Sequence, residues 1–357
     1  MKLPTKDYVL FGCGIAPNDN NSVFAIHDET FLDTFSGLTS VNPQVLPNGY
    51  KMTNTQNTKD AKHTLFTDVK VIDKDMNTII EFSAENLNHE CIYGSNSPRY
   101  YTPAFDYSTL NSNILCIRNE DVENNSLKDD ESVINNIITE YDNTGNIVWS
   151  WSVLENFDKF NFTEEEITRY KEENIHLKMF GDGWDFCHLN SVCCLGPNKW
   201  YDNGDERFHP ENLICCSRNL SLVFVIEKTT GNIIYQLKGT DFDFQYQHYA
   251  HIIQRGLPGE GNILVLDSRS KDGGGKNHLG RIYEIDPVTR EVVFKYEDSF
   301  ASNAMGNVQK LEDGCYMIAA THSKKILTVS AEGEVVSTYP LNKLYYRVNL
   351  YPANWII

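Results

Sequence analysis

Two histidines give this sequence its clearest capacity for acid, base or nucleophilic chemistry. His188 lies in the run Trp184-Asp-Phe-Cys-His-Leu-Asn-Ser191 and His248 in Tyr246-Gln-His-Tyr-Ala-His251. If these runs are strands, His188 and Asn190 stand two residues apart and face one side, while His248 and His251 face opposite sides. Arginines end several nearby segments: Ser217-Arg218, Asp267-Ser-Arg269 and Tyr345-Tyr-Arg347, with a further one opening Arg99-Tyr-Tyr101. Guanidinium forks and imidazoles gathered at one place would suit an oxyanion, Arg presenting fixed donors and His a donor or a nucleophile. A lone strand histidine is more often structural, so the reading depends on these residues converging.

Convergence needs a fold that brings distant strands together, and the sequence carries a repeat that does so. Five hairpins recur: Asp68–Asp73 with Thr78–Phe82, Ile138–Asp142 with Gly145–Trp149, Val223–Glu227 with Gly231–Tyr235, Arg281–Asp286 with Glu291–Phe294, and Leu327–Ser330 with Gly333–Val336. In each, an alternating strand ends in a polar turn and resumes with β-branched residues. A further strand precedes most of them, as in Asn113–Cys116, Asn212–Cys216, Asn262–Leu266 and Gly314–Ile318. First strands are expected at about 37–46, 100–109, 186–195, 246–255, 304–311 and 345–352. Four antiparallel strands repeated about an axis make a propeller blade. We therefore expect an all-β, six-bladed β-propeller spanning 1–357 as a single domain. The N-terminal segments Tyr8–Phe11 and Val23–Ile26 would share one blade with the C-terminal strand and close the ring. Thr163-Glu-Glu-Glu166 is a capping-box pattern that predicts a helix over 163–174, within a helical insertion at 155–185 before the third blade. That helix is either a peripheral decoration or a lid over the channel mouth.

Composition narrows the partners. Net charge is −18, and no Lys/Arg-rich run occurs, so a nucleic-acid partner is not expected. The chain has no 18-residue apolar run, and Met1–Asp7 lacks the apolar core of a secretory leader, so no membrane association and a cytoplasmic protein are expected. There are nine cysteines and no CxxC, which predicts reduced core thiols rather than a zinc site. Two histidines without a carboxylate at ligand spacing are a poor metal set, so no cofactor is expected, a metal at the axis being the weak alternative. The Gly-rich run Lys271–His278 does not precede a helix and fails as a phosphate loop.

Several of these segments, taken in order, resemble the arylsulfotransferase family. They are Trp184–Val192, Ser217-Arg218, Gln247-His-Tyr-Ala250, Gly306-Asn-Val-Gln-Lys-Leu311 with Asp313-Gly314, and Tyr346-Arg347, across about residues 135–352. The resemblance implies transfer of a sulfuryl group between phenols through a sulfated histidine, without a nucleotide donor. It implies that His188 and His248 hold the sulfuryl oxygens or activate the phenol, that Arg269 neutralises developing charge, and that Asn190 orients a histidine. Arg218, Arg347, Tyr101, Gln247 and Asn307 would then bind a small aromatic or anionic substrate. The fifth first strand, Ser302–Asn307, has no histidine, so the resemblance leaves the nucleophile open. Two other readings use the same scaffold. One is a lyase, isomerase or cyclase with His188 and His248 as acid and base; the other is a non-catalytic propeller that binds a protein partner.

Overall fold

The computed structural model describes residues 8–14, 23–27, 30–31, 42–55, 66–102, 104–123, 127, 132–174, 183–267, 279–299, 305–342 and 344–355. The chain begins with β1 (Tyr8–Gly14), β2 (Val23–His27), β3 (Thr30–Phe31), β4 (Gln44–Val45), β5 (Lys51–Thr55), β6 (Phe66–Ile72) and the long β7 (Thr78–Tyr93). Then come β8 (Ile114–Val122), β9 (Val133–Tyr141), β10 (Ile147–Ser152), helix α1 (Glu164–Asn174) and β11 (Leu189–Cys194). A short helix, α2 (Lys199–Asp202), leads to β12 (Leu213–Ser217), β13 (Leu222–Glu227) and β14 (Asn232–Lys238). After α3 (Gly239–Phe242) follow β15 (Tyr249–Ile252), β16 (Ile263–Asp267), β17 (Gly280–Ile285) and β18 (Val292–Asp298). The last sheet strands are β19 (Val308–Lys310), β20 (Tyr316–Ala320), β21 (Lys325–Val329), β22 (Val335–Pro340) and β23 (Tyr345–Pro352).

These strands form antiparallel sheets, the fold being all-β and propeller-like. Three are consecutive four-stranded meanders, β11–β14, β15–β18 and β19–β22. A fourth sheet has the order β23-β1-β2-β3, so strands from the two ends of the chain pair, Tyr8 opposite Pro352 and Leu10 opposite Leu350. The fifth runs continuously from β4 to β10 through β7. The first part of β7 pairs with β6 (Val69 opposite Phe82), and its end pairs with β8 (Cys91 opposite Cys116).

All five outer hairpins fall where the repeat places them, and their turns explain the repeat. The carboxylates of Asp73, Asp142 and Asp286 each accept the backbone N–H two residues on, at 2.9, 2.9 and 2.8 Å, and the Ser330 hydroxyl does the same at 3.2 Å. Such Asx and Ser turns set the reversal before any tertiary contact forms. Gly145 and Gly333 take the left-handed φ of 87° that follows two of them, where a side chain would be strained.

Between sheets the apolar faces interdigitate. Leu115, Ile117 and Trp151 pack with Leu189, Val192 and Phe224, and Ile214, Val223 and Val225 pack with Ile252, Ile263 and Val265. Leu264, Leu266 and Ile282 meet Ile318, Leu327 and Val329, and Met317 and Ile326 meet Val348, Leu350 and Leu10. Ala25 and Tyr351 meet Val45, and within the long sheet Met52, Phe66 and Val69 face Cys91, Cys116 and Tyr141. Nearly all of these side chains are fully buried, each worth about 1.5–3 kcal/mol relative to exposure.

Two expectations are corrected here. Residues 100–109 are not a strand: Tyr107–Thr109 is a turn of 3-10 helix, and the strand that pairs with β8 is the end of β7. The cysteines are not all reduced, because Cys91 and Cys116 stand opposite on β7 and β8, 4.2 Å apart at Cα, and are joined as a disulfide. Cys187, Cys193, Cys194, Cys215 and Cys216 are buried free thiols. Burial pushes the thiols of Cys187 and Cys194 up to about 12, which keeps them protonated and unreactive.

Helix α1 carries the capping box read from the sequence. Glu166 N–H donates to Thr163 Oγ1 at 3.2 Å, and Thr163 N–H donates to Glu166 Oε2 at 2.9 Å. The Glu166 carboxylate also pairs with Lys238 at 2.7 Å, tying α1 to β14. Among the described residues no helix is long and apolar enough to cross a membrane.

Candidate functional site

The site is built where the strands lose their regularity. The β7–β8 register slips between Asn88 and Cys91, and the β11–β12 register slips between Leu189 and Ser191. His89 sits within the first break and His188 immediately before β11, with left-handed φ of 51° and 52°, and Tyr246, two residues before His248, has φ 55°. Left-handed φ is costly outside glycine and persists where surrounding structure enforces it, commonly at functional sites. Bulges and left-handed residues re-aim side chains, and here the imidazoles of His89 and His188 meet. The His89 ring centroid is 4.7 Å from that of His188 and 6.4 Å from that of His248. Tyr346, from β23, joins them: its ring lies 5.5 Å from His248, and its hydroxyl is 2.6 Å from His89 Nδ1.

Each imidazole is held by a different group. His188 Nδ1 lies 2.5 Å from the Asp185 carboxylate. His248 Nδ1 lies 3.0 Å from the carbonyl of Gly306, which can only accept, so Nδ1 carries the proton. His248 Nε2 is then bare, and it has no hydrogen-bond partner among the described residues although it is buried. Burial, with Arg347 beside it, lowers the His248 pKa well below the ordinary imidazole range. Burial and the neighbouring His188, His248 and Arg347 do the same to His89. Both rings are neutral at pH 7, as a nitrogen nucleophile must be.

Cations surround these rings. Arg347 donates through Nη1 to Glu90 at 2.5 Å and through Nη2 to the Asn190 carbonyl at 2.5 Å. Arg99 lies 3.4 Å from the same Glu90 carboxylate and donates to Asn42 at 2.7 Å. Arg218 donates to Asn219 at 2.7 Å, and its guanidinium lies over the Tyr246 ring, 5.1 Å from the centroid. All three arginines are buried, as are Glu90, which faces Arg99 and Arg347, and Asp185, which faces His188. On the far side of Tyr246 a cleft of about 140 Å³ opens between α1 (Arg169, Tyr170) and Ser221, Thr240 and Phe244.

The sequence-derived residues divide into four groups. His188, His248, Arg218 and Arg347 come together as expected. Asn190, Gln247 and Asn307 have amide NH2 groups bound to backbone carbonyls, while Asn190 Oδ1 and Gln247 Oε1 are buried with no hydrogen-bond partner among the described residues. Asn190 donates to the Gln247 carbonyl at 3.0 Å, and Gln247 donates to the carbonyls of Ser217 and Leu222 at 2.7 and 3.0 Å. Asn307 both donates to Val348 O and accepts from Val348 N–H, at 2.9 and 3.0 Å. Tyr101 is elsewhere: it packs on Tyr107 and Trp355, and its neighbour Tyr100 is the one that points inward, bonded to Asn307. Arg269 and His278 lie outside the described residues. Sequence reasoning missed His89, Glu90 and Asp185. Asp185 was visible three residues before His188, whereas His89 and Glu90 follow a hairpin in a run with no strand alternation.

Among the described residues no group of three His, Cys, Asp or Glu is arranged to hold a metal ion. A family model described as arylsulfotransferase (ASST) matches residues 42–341. The chain belongs to the arylsulfotransferase family. No curated protein sequence matches the chain. Solved structures similar in shape are distant. A protein of unknown function from Bacteroides caccae shares 12% identity over 97% of this chain and 99% of its own, with a TM-score of 0.48. The Cps50 (Swd1) β-propeller domain of Myceliophteria thermophila shares 9% over 96% and 88%, with a TM-score of 0.47. Saccharomyces cerevisiae Sqt1 shares 10% over 96% and 89%, with a TM-score of 0.46.

Proposed function

We propose that this arylsulfotransferase-family protein is a closed six-bladed propeller that moves a sulfuryl group between small phenols through His248, at the axis and without a nucleotide donor. Six apolar interfaces support the ring reading, and the long sheet counts as two blades sharing β7. The observation that carries the chemistry is His248: a buried neutral imidazole whose Nδ1–H is spent on the Gly306 carbonyl, leaving the Nε2 lone pair bare beside arginines.

In the first step His248 Nε2 attacks sulfur as the S–O bond to the donor's aryl group breaks. The departing oxygen takes a proton from His188, whose Nδ1 lies 2.5 Å from the Asp185 carboxylate. In the second step the acceptor phenol returns its proton to His188 as its oxygen attacks sulfur and the N–S bond breaks. Arg218 and Arg347 stabilise the equatorial oxygens, which is the main task in such a transfer. Arg269, which follows β16 as Arg218 follows β12, is proposed to add a third guanidinium.

The test is turnover of 4-methylumbelliferyl sulfate with phenol as acceptor and no nucleotide present. His248→Asn is expected to lower the rate by about 10³-fold or more. Donor alone should leave a sulfated peptide containing residue 248. Full activity in the variant, or transfer with no such peptide at any time, overturns the assignment. Proton exchange or elimination in a carboxylate substrate, with no sulfate transfer, would favour acid–base chemistry by the Asp185–His188 pair instead.

A further inference from the structure

We propose that His89 is a hydrogen-bond donor to an anionic oxygen at this site, its proton fixed on Nε2 by the Tyr346 hydroxyl. The inference deepens the transfer reading above, since the oxygen it would hold belongs to the sulfuryl group.

The geometry carries it. Tyr346 Oη has one hydrogen-bond partner among the described residues, His89 Nδ1, at 2.6 Å. A phenol has one proton to donate, and the nitrogen that receives it must present a lone pair. Burial raises the Tyr346 pKa, so the hydroxyl keeps its proton. Burial and nearby cations keep His89 from becoming an imidazolium. A neutral ring whose Nδ1 accepts carries its hydrogen on Nε2. This is the opposite tautomer to His248, whose Nδ1 donates to Gly306. Two adjacent neutral imidazoles are thereby given different roles by two neighbours, a phenol and a carbonyl. His248 offers a lone pair, and His89 offers an N–H. The bulge and left-handed φ at His89 place that ring between His188 and His248, 4.7 and 6.4 Å away, rather than in the apolar layer on either face of β7. A donor there, in a water-poor setting, is worth far more than one in solvent.

The experiment uses the full chain labelled with 15N-histidine, with inorganic sulfate as the probe and nitrogen-detected tautomer shifts as the readout. The parent should show His89 protonated on Nε2, with that N–H moving as sulfate is added. Tyr346→Phe should release the tautomer and weaken sulfate binding about tenfold. His89→Gln, which places an amide N–H near the Nε2 position, should bind sulfate within about threefold of the parent. His89→Ala should match the loss in Tyr346→Phe. His89 protonated on Nδ1 in the parent, or unchanged sulfate affinity in Tyr346→Phe, overturns the proposal. Sulfate binding with the expected tautomer but no transferase turnover would uphold this donor while refuting the transfer reading. Turnover that persists in Tyr346→Phe with unaltered affinity would do the reverse.

Discussion

A histidine buried among rings takes a proton only at a cost in solvation, and among the described residues His89, His248 and His251 have pKa values lowered chiefly by burial. His251 packs against Tyr100 and Tyr249 with ring centroids 4.7 and 5.5 Å away, and burial holds its pKa at about 3. His89 and His248 are lowered in the same direction. In the unfolded chain each titrates near 6.5. Above that pH both states are neutral and stability is independent of these groups. Below it the unfolded chain takes up protons that the native state cannot, so stability is lost as pH falls, by about 1.4 kcal/mol per pH unit per residue within the window. Melting temperature should therefore be flat above pH 6.5 and decline toward pH 3. His251→Leu should make that decline shallower; an unchanged slope in calorimetry would show that the ring is not held neutral. The placement of His188 and His248 was legible because both stand in strand-forming runs beside aromatic residues. His89 was not, because its surroundings, Asn88-His89-Glu90, alternate in neither the strand nor the helix period.

At the scale of elements, polar residues on the inner strands looked like ligand groups because core packing cannot account for them. The structure supplies another reason. The strand pairs β19 with β23 and β4 with β7 lie side by side without sharing a ladder, so side-chain amides stand in for it. Gln309 donates to the Leu350 carbonyl at 3.3 Å and accepts from Leu350 N–H at 3.1 Å, and Gln44 makes the same pair with Tyr93, at 3.3 and 2.8 Å. Asn307 with Val348 is a third case. Breaking one leaves a buried donor and acceptor unpaired. Gln309→Ala is expected to destabilise the fold by about 2 kcal/mol, read from the urea midpoint, without altering the histidine cluster. A midpoint within error of the parent would mean that water replaces the amide. The hairpins were legible from turn chemistry and period-2 alternation. The shared strand β7 was not, since nothing in a single sequence announces that one strand will serve two successive turns of the sheet.

The molecule as a whole depends on a strand pair that local sequence cannot specify. Leu10 is opposite Ile26 on one side and Leu350 on the other, and it is buried with Met317, Val348 and Leu350. Leu10→Pro removes a ladder donor and clashes with the neighbouring strand, and is expected to cost about 3 kcal/mol or more. Global unfolding, followed by circular dichroism in denaturant, should register the loss; a purely local effect confined to β1 would show that the remaining sheets hold together without it.

That pairing also sets a timetable. During synthesis β1 emerges well before its partner β23, and all the other described strands are made between them. Until then β1 and β2 present an unpaired hydrogen-bonding edge with an apolar face, the kind of surface that invites pairing with another nascent chain. The pairing that completes this sheet thus has to wait for the other described sheets to be made, and a slow or truncated translation product would carry its hazard at β1 rather than at the point where it stopped.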